Sequence, residues 1–254
     1  MPAALVRALR ESRHLMVLCG SGVSAESGVP TFRDAMSGLW ERYDPLQLAT
    51  PEAFATDPAL VWQWYQWRRR LVHEVEPNPA HYALAELETL VPRLTLVTQN
   101  VDGLHQRAGS SDVVEFHGNL LTDICPAPGC DFRGEAGHDG DQGDETSGPP
   151  PCPACGAGLR PAVVWFGEAI PEDALDRAFA AVADCDLFFS VGTSSLVYPA
   201  AGLAEQALEA GVPVVEINPN PTPLTRAADH VISGPAGTVL PAVVESLQQA
   251  EHEH

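Results

Sequence analysis

Positive charge is scarce in this chain: Lys and Arg together number 14 against 34 Asp and Glu, a formal net charge of −20. A surface that negative repels phosphate backbones and anionic headgroups, which argues against nucleic acid and membrane surfaces as partners. It attracts basic polypeptide, although acidic composition serves solubility in many proteins that bind none. Long apolar runs are missing as well, and none approaches the roughly 20 residues needed to cross a bilayer. Residues Met1 to Arg13 carry Arg7, Arg10, Glu11 and Arg13 and lack the apolar stretch and small-residue cleavage site of a signal peptide. A cytoplasmic location is the expectation. No internal repeat is found. Cysteine is sparse and unevenly used: Cys19 and Cys185 sit in apolar, strand-like contexts, while Cys125, Cys130, Cys152 and Cys155 form two close pairs. In a reducing compartment such pairs suggest metal rather than disulfides.

What is present is 45% apolar residues over 254 positions, enough to bury one substantial core. Residues Pro2 to Ser12 read as a short helix, and His14 to Cys19 as a buried strand running into Gly20-Ser-Gly-Val-Ser-Ala-Glu-Ser-Gly28. Strand, glycine turn and helix in that order form a nucleotide-binding beginning. Further strands are expected at Leu94 to Thr98, Val113 to Phe116, Leu187 to Val191, Val212 to Ile217 and His230 to Ile232. Helices such as Pro171 to Ala183 and Pro199 to Ala210 separate them. The alternation implies an α/β fold with a Rossmann-like, doubly wound parallel sheet. Two stretches do not fit the sheet. Asp34 to Glu76 reads as a helical insertion rich in Trp and Arg, and Leu121 to Arg160 as a loop-rich inserted module. Within the latter, Gly134 to Pro151 reads as a mobile loop of Gly, Asp, Glu, Ser and Pro joining the cysteine pairs.

Gly20, Gly22 and Gly28 let the backbone of the opening turn approach a pyrophosphate, whose charge helix N-terminal N–H groups can meet. A tight turn with no ligand uses the same glycines, and no acidic ribose-binding residue is evident about 20 positions downstream. Four cysteines spaced Cys125-x4-Cys130 and Cys152-x2-Cys155, with Pro and Gly flanking, suit a tetrahedral, structural Zn2+ site with no open coordination position.

Ser24-Ala-Glu-Ser-Gly-Val-Pro-Thr-Phe-Arg33 resembles the sirtuin signature, and the resemblance recurs in order through Thr98-Gln-Asn-Val-Asp-Gly-Leu-His105, Glu115-Phe-His-Gly118, Val164-Trp-Phe-Gly-Glu168, Gly192-Thr-Ser-Ser195 and Glu216-Ile-Asn218. Ser21 and Ala162 depart from the Ala and His common at those places in the family. The resemblance implies one catalytic domain over residues 1–254, acting on acylated protein lysines with NAD and carrying zinc, as a monomer. It implies that the acyl oxygen attacks the nicotinamide ribose carbon, that nicotinamide leaves a cationic imidate behind, that a ribose hydroxyl deprotonated by His117 attacks this imidate, and that water completes the transfer of the acyl group to ribose. Imidazole titrates in the range this needs. By the same resemblance Asn100 and Asp102 join His117 in catalysis, and Gln99, Asn100 and Asp102 hold the ribose and carboxamide. Gly20, Ser21, Gly22, Ser24, Ala25, Glu26, Phe32, Arg33, Gly192, Thr193, Ser194, Asn218 and Ala236 line the rest of the NAD site. Val164, Phe166, Gly167, Glu168, Val197 and Tyr198 meet the substrate.

Tyr65 and Arg68 stand three apart on one helical face, so a phenol and a guanidinium can converge on one small anion. An amphipathic helix with Trp62, Trp64 and Trp67 inward explains the pattern equally well on residues alone. The resemblance, with small Ala49 leaving room, favours sirtuins that remove succinyl, malonyl or glutaryl groups. A deacetylase without acidic preference, a mono-ADP-ribosyltransferase and a catalytically silent NAD or ADP-ribose sensor remain alternatives.

Overall fold

The computed structural model describes residues 1–30, 44, 48–135 and 148–252. Six parallel strands form the main sheet: β1 (Leu15–Cys19), β2 (Leu94–Thr98), β3 (Val113–Glu115), β7 (Leu187–Val191), β8 (Val214–Asn218) and β9 (His230–Ser233). Their order is β3-β2-β1-β7-β8-β9, so the winding reverses between β1 and β7, which pair directly. Open parallel sheets bind ligands beyond the carboxyl ends of the strands at such a reversal.

Alternation along β1 sorts its side chains between two apolar layers. Leu15, Val17 and Cys19 join the cluster formed with α1 (Ala3–Glu11), α5 (Pro79–Leu90) and α9 (Ala236–His252). Met16 and Leu18 join the opposite cluster, with α7 (Glu172–Asp184) and α8 (Ala200–Glu209). Every β1 residue is buried. Burying one such side chain is worth about 1.5–3 kcal/mol, and the doubly wound expectation holds. The strand expected from Val212 begins at Val214, because the Val212 N–H is still closing the exit of α8 on the Ala207 carbonyl.

The inserted module is less irregular than expected. It contains strands, and β4 (Gly118–Ile124) runs antiparallel to both β5 (Arg133–Glu135) and β6 (Arg160–Val163). These strands carry Gly, Pro and Asp, residues depleted in strands, which hid them. In the helical insertion lie α3 (Pro51–Thr56) and α4 (Pro58–Glu74), while Phe32 and Arg33 fall outside the described residues. Helix α4 starts because the Asp57 carboxylate accepts from the Leu60 N–H and Pro58 fits the first turn. Its buried Val61, Trp64, Tyr65 and Val72 recur at helical spacing and join a cluster with Leu120 and Val163 of the small sheet and Trp165 just beyond it. Among the described residues, no helix is long and apolar enough to cross a membrane.

Candidate active site

The turn after β1, which leads through the short α2 (Ser21–Ala25), meets the turn after β7 at very close range. The Gly22 N–H donates to the Gly192 carbonyl at 2.8 Å. A Cβ on Gly20 or Gly22 would lie 2.7 Å from that oxygen, and one on Gly192, whose φ is +60°, 2.7 Å from the Val23 nitrogen. The contact between the two turns is therefore sufficient by itself to require glycine at all three positions. It leaves the backbone bare at the reversal of strand order.

Polar side chains from five strand ends converge around these turns. Gln99, just past β2, donates through Nε2 to Thr193 Oγ1 at 3.0 Å, and its own carbonyl lies 3.2 Å from His117 Nδ1. Asn100 donates to Ser24 Oγ at 2.9 Å, and Asn218 at the end of β8 donates to the Thr193 carbonyl at 2.8 Å. His117 stands between β3 and β4, where burial pulls its imidazole below the ordinary histidine value against the opposing effect of its hydrogen bond to the Gln99 carbonyl. Neutral imidazole is thus favoured near pH 7. Gly118 is no spectator: its φ is +80°, and a Cβ there would lie 2.0 Å from the Ala162 carbonyl. Only glycine lets β6 run this close beside the histidine.

Buried Asp102 uses Oδ1 to accept the Leu104 N–H at 3.0 Å, with left-handed Gly103 making the turn. Its carboxylate acts electrostatically on both Arg68 and His81. Tyr65 is fully buried and its hydroxyl accepts from Trp165 Nε1 at 2.8 Å. The Arg68 guanidinium lies 5.6 Å from the Tyr65 ring centre. Burial lowers its pKa from the ordinary arginine value, while Tyr65 and Asp102 favour its charge. Arginine stays protonated throughout the physiological range. Buried Ala49 packs in the same cluster, its carbonyl accepting the Phe166 N–H at 2.9 Å. The Val164 N–H reaches the His117 carbonyl at 2.9 Å, and Gly167 has a left-handed φ of +88°. Phe166, Val197 and Tyr198 are exposed.

Other expected residues are engaged elsewhere. The Glu26 carboxylate accepts the Gly237 N–H at 2.8 Å, at the first turn of α9 beside buried Ala236. Glu168 is held by Arg160 at 2.5 and 2.9 Å and by the Trp165 N–H at 2.8 Å. Ser21, Ala25 and Ser194 are exposed. Sequence reasoning missed Asn78 and His81. Asn78 caps α5, accepting the Ala80 N–H at 2.9 Å, and donates to the Val23 carbonyl at 2.7 Å. His81 Nδ1 accepts the Asn78 N–H at 3.2 Å, and its Nε2 lies 3.4 Å from Ser24 Oγ. The signal was an Asn-Pro helix start with a polar residue at the third helical position.

The four cysteines come together, their sulfurs all within 4.8 Å of one another. Cys125 to Cys155 is 3.5 Å and Cys130 to Cys152 is 3.7 Å. Tetrahedral Zn–S bonds of about 2.3 Å put sulfurs about 3.8 Å apart, so the set fits Zn2+. Left-handed Gly129 and Gly156 make the two knuckles. With every ligand from protein, such an ion organises the module and leaves no position for a substrate.

A doubly wound sheet with polar side chains gathered at its reversal point and a four-cysteine satellite that fits Zn2+ has the architecture of a nucleotide-binding α/β protein. The Sir2 family model matches residues 20–199, and the chain belongs to the Sir2 family. It is 54% identical over 243 residues to NAD-dependent protein deacylase 1 of Pseudomonas aeruginosa, covering 95% of this chain and 97% of that one. It is 51% identical over 247 residues to an NAD-dependent protein deacylase of Methylococcus capsulatus, covering 97% of each. Among solved structures, a Sir2 homolog–NAD complex superposes with a TM-score of 0.90 at 46% identity, covering 98% of this chain and 95% of that one.

Proposed function

We propose that this chain is an NAD-dependent protein-lysine deacylase whose acyl pocket selects succinyl, malonyl or glutaryl over acetyl groups. The deacylase activity is that of its relatives at about half identity over nearly the whole chain. The observation that carries the acyl preference is the placement of Arg68 against Tyr65 in an apolar cluster that includes Ala49. A carboxylate entering such a cluster loses hydration at a cost of several kcal/mol unless a charge replaces the water. Arg68 offers that charge in a planar fork, and Tyr65 adds a hydroxyl.

Bound NAD supplies a ribose carbon activated by its nicotinamide leaving group. This chain's residues then do the positioning. Gln99, Asn100 and Asp102 orient the ribose and carboxamide, while Gly192, Thr193, Ser194 and Asn218 face the phosphates and adenosine. His117 takes the proton of a ribose hydroxyl, and Val164 to Glu168 with Val197 and Tyr198 border the peptide. No lysine occurs in this sequence, so the acylated lysine lies outside it. The test is mass spectrometry of acetyl, succinyl, malonyl and glutaryl peptides incubated with enzyme and NAD. Acidic acyl peptides should be consumed fastest. Equal turnover of acetyl peptide removes the acyl preference, and nicotinamide release without deacylated peptide removes the deacylase assignment.

A further inference from the structure

Next to Arg68 on α4 lies a second arginine that bonds to the small sheet. Arg69 is 4% exposed, and two of its three guanidinium nitrogens hold hydrogen bonds. Nε donates to the Leu120 carbonyl at 2.6 Å, and Nη2 donates to the Thr122 carbonyl at 3.4 Å and to Asp123 Oδ1 at 2.5 Å. The Trp62 ring lies 5.2 Å from the guanidinium carbon. Asp123 is equally buried, at 4% exposure. All three acceptors belong to β4, the strand that begins directly after His117.

A buried ion pair of this kind adds little net stability over an apolar pair of similar size, so its main effect is geometric. Adjacent helical residues point about 100° apart and are separated by about 1.5 Å along the axis. Three bonds from one residue to one strand therefore fix both the roll and the height of α4 at the turn that carries Arg68. Tyr65, one turn earlier, is held separately through Trp165, which follows β6 and lies under the Arg160 guanidinium. Helix α4 is thus held at two points, Tyr65 and Arg69, and Arg68 lies between them in sequence.

We propose that Arg69, held by Asp123, is a positioning residue that aims Arg68 into the acyl pocket and so sets acyl specificity without touching the acyl group. The proposal rests on the reading of Tyr65 and Arg68 as the acyl-selective pair. Loss of Arg69 leaves the NAD side, built from the ends of β1, β2, β7 and β8, in place.

The experiment compares Arg69→Met, Arg68→Met and the double variant as zinc-loaded proteins, with succinyl and acetyl peptides. KM for NAD and zinc content are measured alongside. In Arg69→Met the succinyl-peptide kcat/KM should fall by roughly 10–10²-fold, mostly through KM, with KM for NAD and zinc content unchanged. The double variant should be no worse on succinyl peptide than Arg68→Met alone, because Arg69 acts only through Arg68. Additive losses, equal losses for both peptides, a parallel rise in KM for NAD, or unchanged succinyl kinetics overturn the proposal. If Arg69→Met does not fold, Asp123→Asn, which removes the charge but keeps the shape, is judged by the same criteria. The underlying pocket reading fails separately, when Arg68→Met alone leaves succinyl activity intact.

Discussion

The carbonyl oxygen of Gln99 lies 3.2 Å from Nδ1 of His117. A carbonyl only accepts, so in the neutral ring the hydrogen is on Nδ1 and Nε2 keeps its lone pair. The contact thus assigns each nitrogen a task, one anchoring the ring and the other open to a proton.

His117→Ala should keep the fold and lower deacylation by about 10²–10⁴-fold, the usual range for a lost general base. The pH profile of the native enzyme offers a second check. Burial holds the imidazole below its ordinary 6.5, so the neutral, proton-accepting form persists on mild acidification. The acidic limb of kcat/KM should accordingly have its midpoint below pH 6.5 and vanish from the residual activity of the Ala variant. Near-normal turnover in that variant would end the assignment.

Arg68→Met keeps much of the side-chain length and removes the charge. Succinyl-peptide activity should drop by roughly 10²-fold, equivalent to losing a charged hydrogen bond of ~2–3 kcal/mol, while acetyl-peptide activity changes far less. Equal loss of both activities would make Arg68 a packing residue.

Cys152→Ser removes one sulfur from the cluster of four. Metal binding and folding of a small module are coupled, so zinc stoichiometry and melting temperature should fall together. Wild-type protein free of zinc, with an unchanged melting temperature in the variant, would contradict this.

His105 gives a prediction about acid stability. It is 1% exposed, neither ring nitrogen has a hydrogen-bond partner among the described residues, and its ring lies 4.9 Å from that of His81. Burial, followed by the His81 charge, lowers its pKa from 6.5 to about 3. The folded state therefore binds the proton less readily than the unfolded chain. This histidine's share of stability is complete above pH 6.5 and is lost as pH falls towards 3, about 2 kcal/mol by pH 5. His105→Leu should show a smaller drop in melting temperature between pH 7 and pH 5 than the native protein. Parallel melting curves would show that this group is not what titrates.

Much of the fold was legible because its signals are local. Leu94–Thr98 and Leu187–Val191 are apolar runs bounded by turn residues, and the strand–glycine–helix start sits within one short window. Helix α9 was hidden by Pro241, which breaks the expected helical pattern yet stands inside the helix. Strand β4 was hidden because Gly118 to Ile124 alternates burial only loosely. The supports of the site were invisible for a different reason. Asn78 reaches Val23 across 55 positions and Arg69 reaches Asp123 across 54, and no periodicity within one segment encodes such a pairing. Glu168 closes a recognisable block, but its bond to Arg160, eight positions away, is not encoded in that block.

Between the last residue of β3, Glu115, and the first of β4, Gly118, there are only Phe116 and His117. The strand on one side belongs to the large sheet and the strand on the other to the small one. His117 therefore occupies a fulcrum. Were the small sheet to turn relative to the large one about this two-residue link, displacement would grow with distance from it, so Tyr65 and Arg68 out on α4 would travel further than the imidazole at the link. Such a turn would widen the space beside α4 and leave the proposed proton acceptor where it stands.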